Sequence, residues 1–210
     1  MRIVVFGASG RIGSMVVKQG LVQGHQVTAV VREAGRLDVR ADRLDVVVAD
    51  PFDVEAVAKV VAGHDAVLSA LGPRAGGRSD VCGRAATTIT EAMRRAGVVR
   101  LLVVSASGPF VDGGDDPLTR FVVKPIVQRI LRESFADLVA AEKTVRGSGL
   151  EWTIVRPSRL TDKPATGRER RSLDRNLSFG MFTPRAAVAG EMLRNLDDPA
   201  TVGHTIALAR

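Results

Sequence analysis

Three glycines at a spacing of three, Gly7, Gly10 and Gly13, are the residues whose placement most directly suggests chemistry. They follow the apolar run Arg2 to Phe6, and a helical pattern opens at Arg11. A strand, a glycine-rich turn and a helix N-terminus in that order make a phosphate-binding corner. Gly7 permits the tight turn, Gly10 lets backbone N–H groups approach a pyrophosphate, and Gly13 lets the helix pack on the strand. The loop Gly7, Ala8, Ser9, Gly10, Arg11, Ile12 and Gly13 is therefore expected to hold a dinucleotide, with the helix dipole facing the anion. The second apolar run, Gln26 to Val31, ends in Arg32. An acidic residue there would hydrogen-bond a ribose 2′-hydroxyl, whereas arginine matches a 2′-phosphate. Arg32, with Arg11 reaching from the loop, favours NADP(H), although Glu33 follows directly and can turn toward the ribose. Asp50 and Pro51, after the third run, are placed at the adenine edge. Leu71 and Gly72, after the fourth, are placed beneath the adenine ribose and pyrophosphate. Ser105 and Ser107 end the fifth run, where a hydroxyl can meet the nicotinamide ribose or a substrate oxygen.

Positioning these residues takes alternating strands and helices. Apolar strands are expected at Arg2 to Phe6, Gln26 to Val31, Leu44 to Ala49, Asp65 to Ala70, Arg100 to Ser105 and Trp152 to Arg156, with a last one near 205–208. Helical patterns occupy 11–22, 54–62, 80–96, 118–147 and 185–196, and Pro125 should kink the fourth or mark its start. The alternation specifies a doubly wound parallel α/β sheet of Rossmann type, one compact domain over 1–210 with small C-terminal segments capping the substrate. Gly72 to Ser79, Gly108 to Pro117 and Thr161 to Phe179 read as loops at the strand ends where ligands bind.

Composition bounds the partners. A net charge of +7 without a nucleic-acid motif, and with only 4% aromatic residues for stacking, points away from nucleic acid and toward acidic or phosphorylated small molecules. No apolar run approaches the roughly 18 residues needed to cross a bilayer, so no membrane partner is expected. One cysteine, Cys82, and no leader-like segment before the first strand suggest a cytoplasmic protein, monomer or homodimer. His25, His64 and His204 share no metal-ligand spacing, so no metal is expected. Arg168, Arg170 and Arg171 either clamp an anionic substrate or are solvated. Phe110, Phe179, Met181 and Phe182 serve as walls for a planar acceptor or as core.

Taken together, FGASGRIG, GHQVTAVVR, VADPFD, HDAVLSALG, LLVVSASG and SGLEWTIVRPSRLTD resemble the atypical short-chain dehydrogenase/reductases, over nearly the whole chain. The likeness is to the compact NAD(P)H-binding group with NmrA-like proteins and the biliverdin/flavin reductase B type. It implies that Gly7 to Gly13 bind pyrophosphate, Arg32 the 2′-phosphate and Asp50 the adenine. It also implies that Ser105 to Ser107 line the nicotinamide ribose and that Pro157 and Ser158 flank the nicotinamide. The superfamily's usual Tyr-x-x-x-Lys pair is missing: the chain has no tyrosine, and the corresponding helix positions are Ser134 and Leu138. Where biliverdin/flavin reductase B-like enzymes place a histidine and a lysine, this chain has Glu142 and Lys143.

The residues thus support an NADPH-dependent reductase of a small planar acceptor, with Ser107, Glu142 and Lys143 as catalytic candidates. In this reading Glu142 is a buried carboxylic acid or a solvated residue of a half-exposed helix. A second reading is a non-catalytic NADP(H)-binding redox regulator, favoured by the same missing tyrosine. An epimerase would keep the Tyr-Lys pair and a larger C-terminal domain, and this chain ends too soon for one.

Overall fold

The computed structural model describes residues 1–33, 35–72 and 80–210. All seven expected strands are present to within a few residues. They are β1 (Arg2–Phe6), β2 (Gln26–Val31), β3 (Leu44–Val48), β4 (Ala66–Ser69), β5 (Arg100–Val104), β6 (Glu151–Pro157) and β10 (His204–Ala209). Three short strands are added: β7 (Arg159–Thr161), β8 (Arg170–Leu173) and β9 (Phe182–Pro184). The main sheet runs β3-β2-β1-β4-β5-β6-β10-β8, parallel except where β8 meets β10. Strand order reverses between β1 and β4, which leaves a crevice at the end of β1, where the glycine loop begins. This is the doubly wound Rossmann architecture in a single domain.

Apolar alternation along each strand feeds a core on either face of the sheet. Val4 and Phe6 pack with Val67, Leu101 and Ile154 beneath α2 (Val54–Val61), α3 (Val81–Ala96) and α5 (Arg132–Arg146). Ile3 and Val5 pack with Leu68, Leu102 and Val155 beneath α1 (Gly13–Val22) and α6 (Arg185–Arg194). Both faces are covered, so the inner strands read as nearly continuous apolar runs.

Two expectations need correction. The pattern over 118–147 is not one continuous helix. It comprises a π-helical turn (Thr119–Val123), α4 (Lys124–Ile130) and α5, and the break falls at Leu131. Pro125 sits in the first turn of α4, directly after the π-helical turn, and so marks the start of that helix, one of the two outcomes expected for it. The stretch from Thr161 to Phe179 is not all loop, because β8 pairs antiparallel with β10 inside it. β7 and β9 form a separate parallel pair. Beyond Gly72, the loop expected at 72–79 lies outside the described residues.

Candidate functional site

The glycine loop is built around two close approaches. Gly7 has φ +74°, and a Cβ there would lie 2.7 Å from the Ala70 carbonyl oxygen at the end of β4. A Cβ on Gly13 would lie 2.1 Å from the Gly7 carbonyl oxygen. The Gly10 N–H donates to that same oxygen at 2.8 Å, which closes the turn. No side chain caps the start of α1. Among the described residues the N–H groups of Arg11, Ile12 and Gly13 have no hydrogen-bond partner. Orphan N–H groups at a helix start, beside backbone that excludes any Cβ, fit a pyrophosphate. Ala8 is buried under the turn, while Ser9, Gly10 and Arg11 are exposed.

At the end of β2, Arg32 is exposed and makes no hydrogen bond or ion pair among the described residues. Glu33 accepts from Arg36 Nε at 2.8 Å, so an arginine engages the carboxylate that would otherwise compete for the ribose. Arg11 does not converge on Arg32 as expected. Its guanidinium pairs with Asp162, which also takes Arg185 at 2.7 Å. Asp50 is exposed, and its Oδ1 accepts from Phe52 N at 3.0 Å in the turn that leads into α2. Pro51 beside it is buried. Leu71 is half-buried and its carbonyl accepts from Cys82 Sγ at 3.7 Å; Gly72 is exposed. Burial, with the Asp137 carboxylate beside it, pushes the Cys82 thiol up to about 12, so it is not a nucleophile at neutral pH.

The ends of β5, β6 and β10 form the third part. Ser105 N donates to Val155 O at 2.8 Å and Ser107 N to Pro157 O at 2.9 Å, which continues the sheet pairing past β5. The Ser105 hydroxyl is buried, without a partner among the described residues, beside a largely apolar cavity of about 20 Å³ bordered also by Cys82, Leu138 and Glu142. Ser158 N donates to Leu208 O at 3.2 Å, and its hydroxyl lies 2.8 Å from that of Thr183. Pro157 is buried beside it. A second cavity of about 30 Å³ is lined by Ser107, Lys124, Arg156, Ser158 and Asn176. The Ser107 hydroxyl makes no hydrogen bond among the described residues.

Two cations at this cavity were not singled out from the sequence. Lys124 is buried, and its Nζ donates to Asp115 Oδ1 at 2.6 Å and to Phe110 O at 2.5 Å. Arg156 donates to both oxygens of Glu142, at 2.9 and 2.6 Å, and its guanidinium lies 3.5 Å from the Phe110 ring centre. A charged residue inside the apolar strand WTIVRP was the available signal for Arg156. Lys124 carried none, because it sits in a helical pattern of mostly apolar residues. Glu142 corrects the half-exposed reading of its helix, since it is only 3% exposed. Both its oxygens accept from Arg156, and Arg146 approaches to 3.6 Å. Such a carboxylate anchors a cation. Lys143, next to it, is exposed and lines neither cavity. Arg170 donates to Ser178 O and Arg171 approaches Glu191, so neither clamps a ligand in this cavity; Arg168 is exposed. Phe179, Met181 and Phe182 face solvent.

A model of the NAD(P)H-binding family matches residues 7–199. The chain belongs to that family. The chain is 35% identical to a 3-diazoavenalumate denitrifying reductase of a Streptomyces species, over 80% of this chain and 58% of that protein. It is 30% identical to an uncharacterized sugar epimerase of Bacillus subtilis, over 96% and 90%. Solved structures share the fold at lower identity. A wide-type short-chain dehydrogenase/reductase from Veillonella parvula in complex with NADP has a TM-score of 0.84 at 18% identity, covering 100% of this chain and 94% of that one. An anaerobilin reductase from Escherichia coli has 0.80 at 24%, covering 100% and 97%.

Proposed function

We propose that this NAD(P)H-binding protein is an NADPH-dependent reductase of a small planar acceptor such as a flavin, a quinone or a related carbonyl compound. The observation that carries the reading is Ser107. Its unpartnered hydroxyl lines a cavity with Lys124 and Arg156, at the same strand edge as the glycine loop. Bound NADPH supplies a hydride. The chain contributes orphan N–H groups for the pyrophosphate, Arg32 for the 2′-phosphate, and Ser105, Pro157 and Ser158 around the nicotinamide end. Arg32 stands free while Glu33 is engaged by Arg36, which supports NADPH over NADH. The Ser107 hydroxyl holds the acceptor oxygen, and Glu142 keeps Arg156 in place beside it. A flavin or quinone takes its proton from water after the hydride arrives, so no tyrosine is required. Streptomyces and E. coli proteins named as reductases among its likenesses support the reaction class.

Two observations favour the regulator reading instead: the chain has no tyrosine, and the buried Glu142 is tied to Arg156. The two readings separate when purified protein is mixed with NADPH and a panel of FMN, quinones and aromatic aldehydes. The reductase predicts acceptor-dependent loss of reduced-nicotinamide absorbance, slowed tenfold or more in Ser107→Ala. Tight NADPH binding with no turnover across the panel favours the regulator.

A further inference from the structure

The segment 118–131 is turned inside out. Lys124, on its inner side, is buried and bonded to Asp115 and Phe110. One turn later, Gln128 Nε2 donates to the carbonyls of Gly108 at 3.0 Å and Pro109 at 3.2 Å. Polar side chains thus attach this helix to the protein, while its apolar ones meet water. Leu118, Val122, Ile126 and Ile130, four residues apart, are all exposed, Ile130 by 73%, and Phe121 is exposed by 70%. An ordinary surface helix has the opposite arrangement.

A second apolar lobe is joined to it through Asp116. The Asp116 carboxylate accepts from Thr119 N at 2.9 Å and from Phe179 N at 3.2 Å. Phe179 adopts φ +55° and is 76% exposed, and Met181 beside it is exposed. Left-handed backbone at a bulky residue is rare, and here it carries a phenyl ring into solvent. Ridge and lobe leave Leu118, Phe121, Val122, Ile126, Ile130, Phe179 and Met181 exposed to water, and clustered exposed apolar side chains of this kind mark interaction surfaces.

Charge decides what covers it. Arg120, Arg129 and Arg132 are exposed in the same stretch and form no ion pair among the described residues. Asp115 and Asp116, just before the segment, are engaged by Lys124 and by the N–H groups of Thr119 and Phe179, and Glu133, just after it, is exposed. A second copy packed about a two-fold axis at Ile126 would set Arg120 against Arg132, a like-charge contact. An anionic bilayer satisfies both features, since apolar side chains enter the interface and guanidinium groups pair with lipid phosphates. We propose that the 118–131 face, with Phe179 and Met181, docks this protein on an anionic bilayer surface. The expectation of no membrane partner rested on the length of a spanning segment, which surface docking does not need. Among the described residues no helix is long and apolar enough to cross a membrane. Thr119 and Lys124 of this segment also line the cavity beside Ser107, so one element serves both sites. The docking inference does not depend on the reductase reading.

The test is co-sedimentation of the full chain with vesicles of phosphatidylcholine alone or mixed with phosphatidylglycerol. The protein should pellet with the mixed vesicles only, and less as salt rises. Phe121→Ser with Ile130→Ser should weaken that binding tenfold or more, with melting temperature and NADPH affinity unchanged. Arg129→Glu with Arg132→Glu should weaken it by a similar factor. Recovery in the supernatant with both vesicle types would overturn the proposal, as would equal pelleting with neutral vesicles or undiminished binding by both variants. A wild-type dimer in sedimentation velocity that Phe121→Ser with Ile130→Ser dissolves would overturn it in favour of a second copy.

Discussion

Gly13 leaves no room for a methyl group, because its Cβ would meet the Gly7 carbonyl oxygen at 2.1 Å and the Gly7 carbonyl carbon at 2.7 Å. Both are backbone atoms, so α1 or the loop must move to admit alanine. Gly13→Ala should therefore lower stability by about 1–3 kcal/mol, the usual cost of overpacking, and weaken NADPH binding at least tenfold. Chemical denaturation and a binding titration check the two effects separately, and NADPH affinity equal to wild type would show that the loop does not cradle the pyrophosphate. Glu142 teaches a different lesson at the same scale. Its position is legible from the sequence, but its partner is not. Arg156 lies on β6 across from α5, and only the packing of helix on sheet brings the guanidinium within 2.9 Å of the carboxylate. A carboxyl that looks like a proton donor in isolation becomes the counter-charge of an arginine once its neighbours are known.

Asp137 shows the same dependence between elements. It projects from α5 and accepts from the N–H groups of Cys82 at 2.8 Å and Gly83 at 2.7 Å, so one helix caps the start of another. Asp80, at the N-cap of α3, makes no side-chain capping bond there. Asp137→Ala removes an N-cap and strands buried donors, which should cost about 2 kcal/mol in urea unfolding. A loss below a few tenths of a kcal/mol would contradict the capping role. The inner strands are legible in the sequence because helices cover both faces of the sheet and most positions are apolar. β8 is not legible, since RRSL is half arginine and becomes a strand only by pairing with β10, distant along the chain. The orientation of α4 is hidden for a similar reason. Its apolar majority suggests a face turned inward, whereas the carbonyls of Gly108, Pro109 and Phe110 hold Lys124 and Gln128 there instead.

Across the whole molecule, the sheet order places the glycine loop and the candidate residues at the strand ends along one edge. The glycine loop follows β1, Arg32 follows β2, Asp50 lies beyond β3, Leu71 beyond β4, and Ser105, Ser107 and Ser158 follow β5 and β6. A cofactor spanning that edge would have its 2′-phosphate near Arg32 and its reactive ring near Ser107, which ties the identity of the dinucleotide to the reaction proposed. The direct test is calorimetric titration of NADPH and NADH into the wild-type protein and Arg32→Asp. Wild type should bind NADPH at least tenfold more tightly than NADH. Arg32→Asp should lose roughly 1.5–3 kcal/mol of NADPH affinity, the worth of a charged hydrogen bond, and keep its NADH affinity. Equal affinity for the two dinucleotides in wild type, unchanged by Arg32→Asp, would contradict the account.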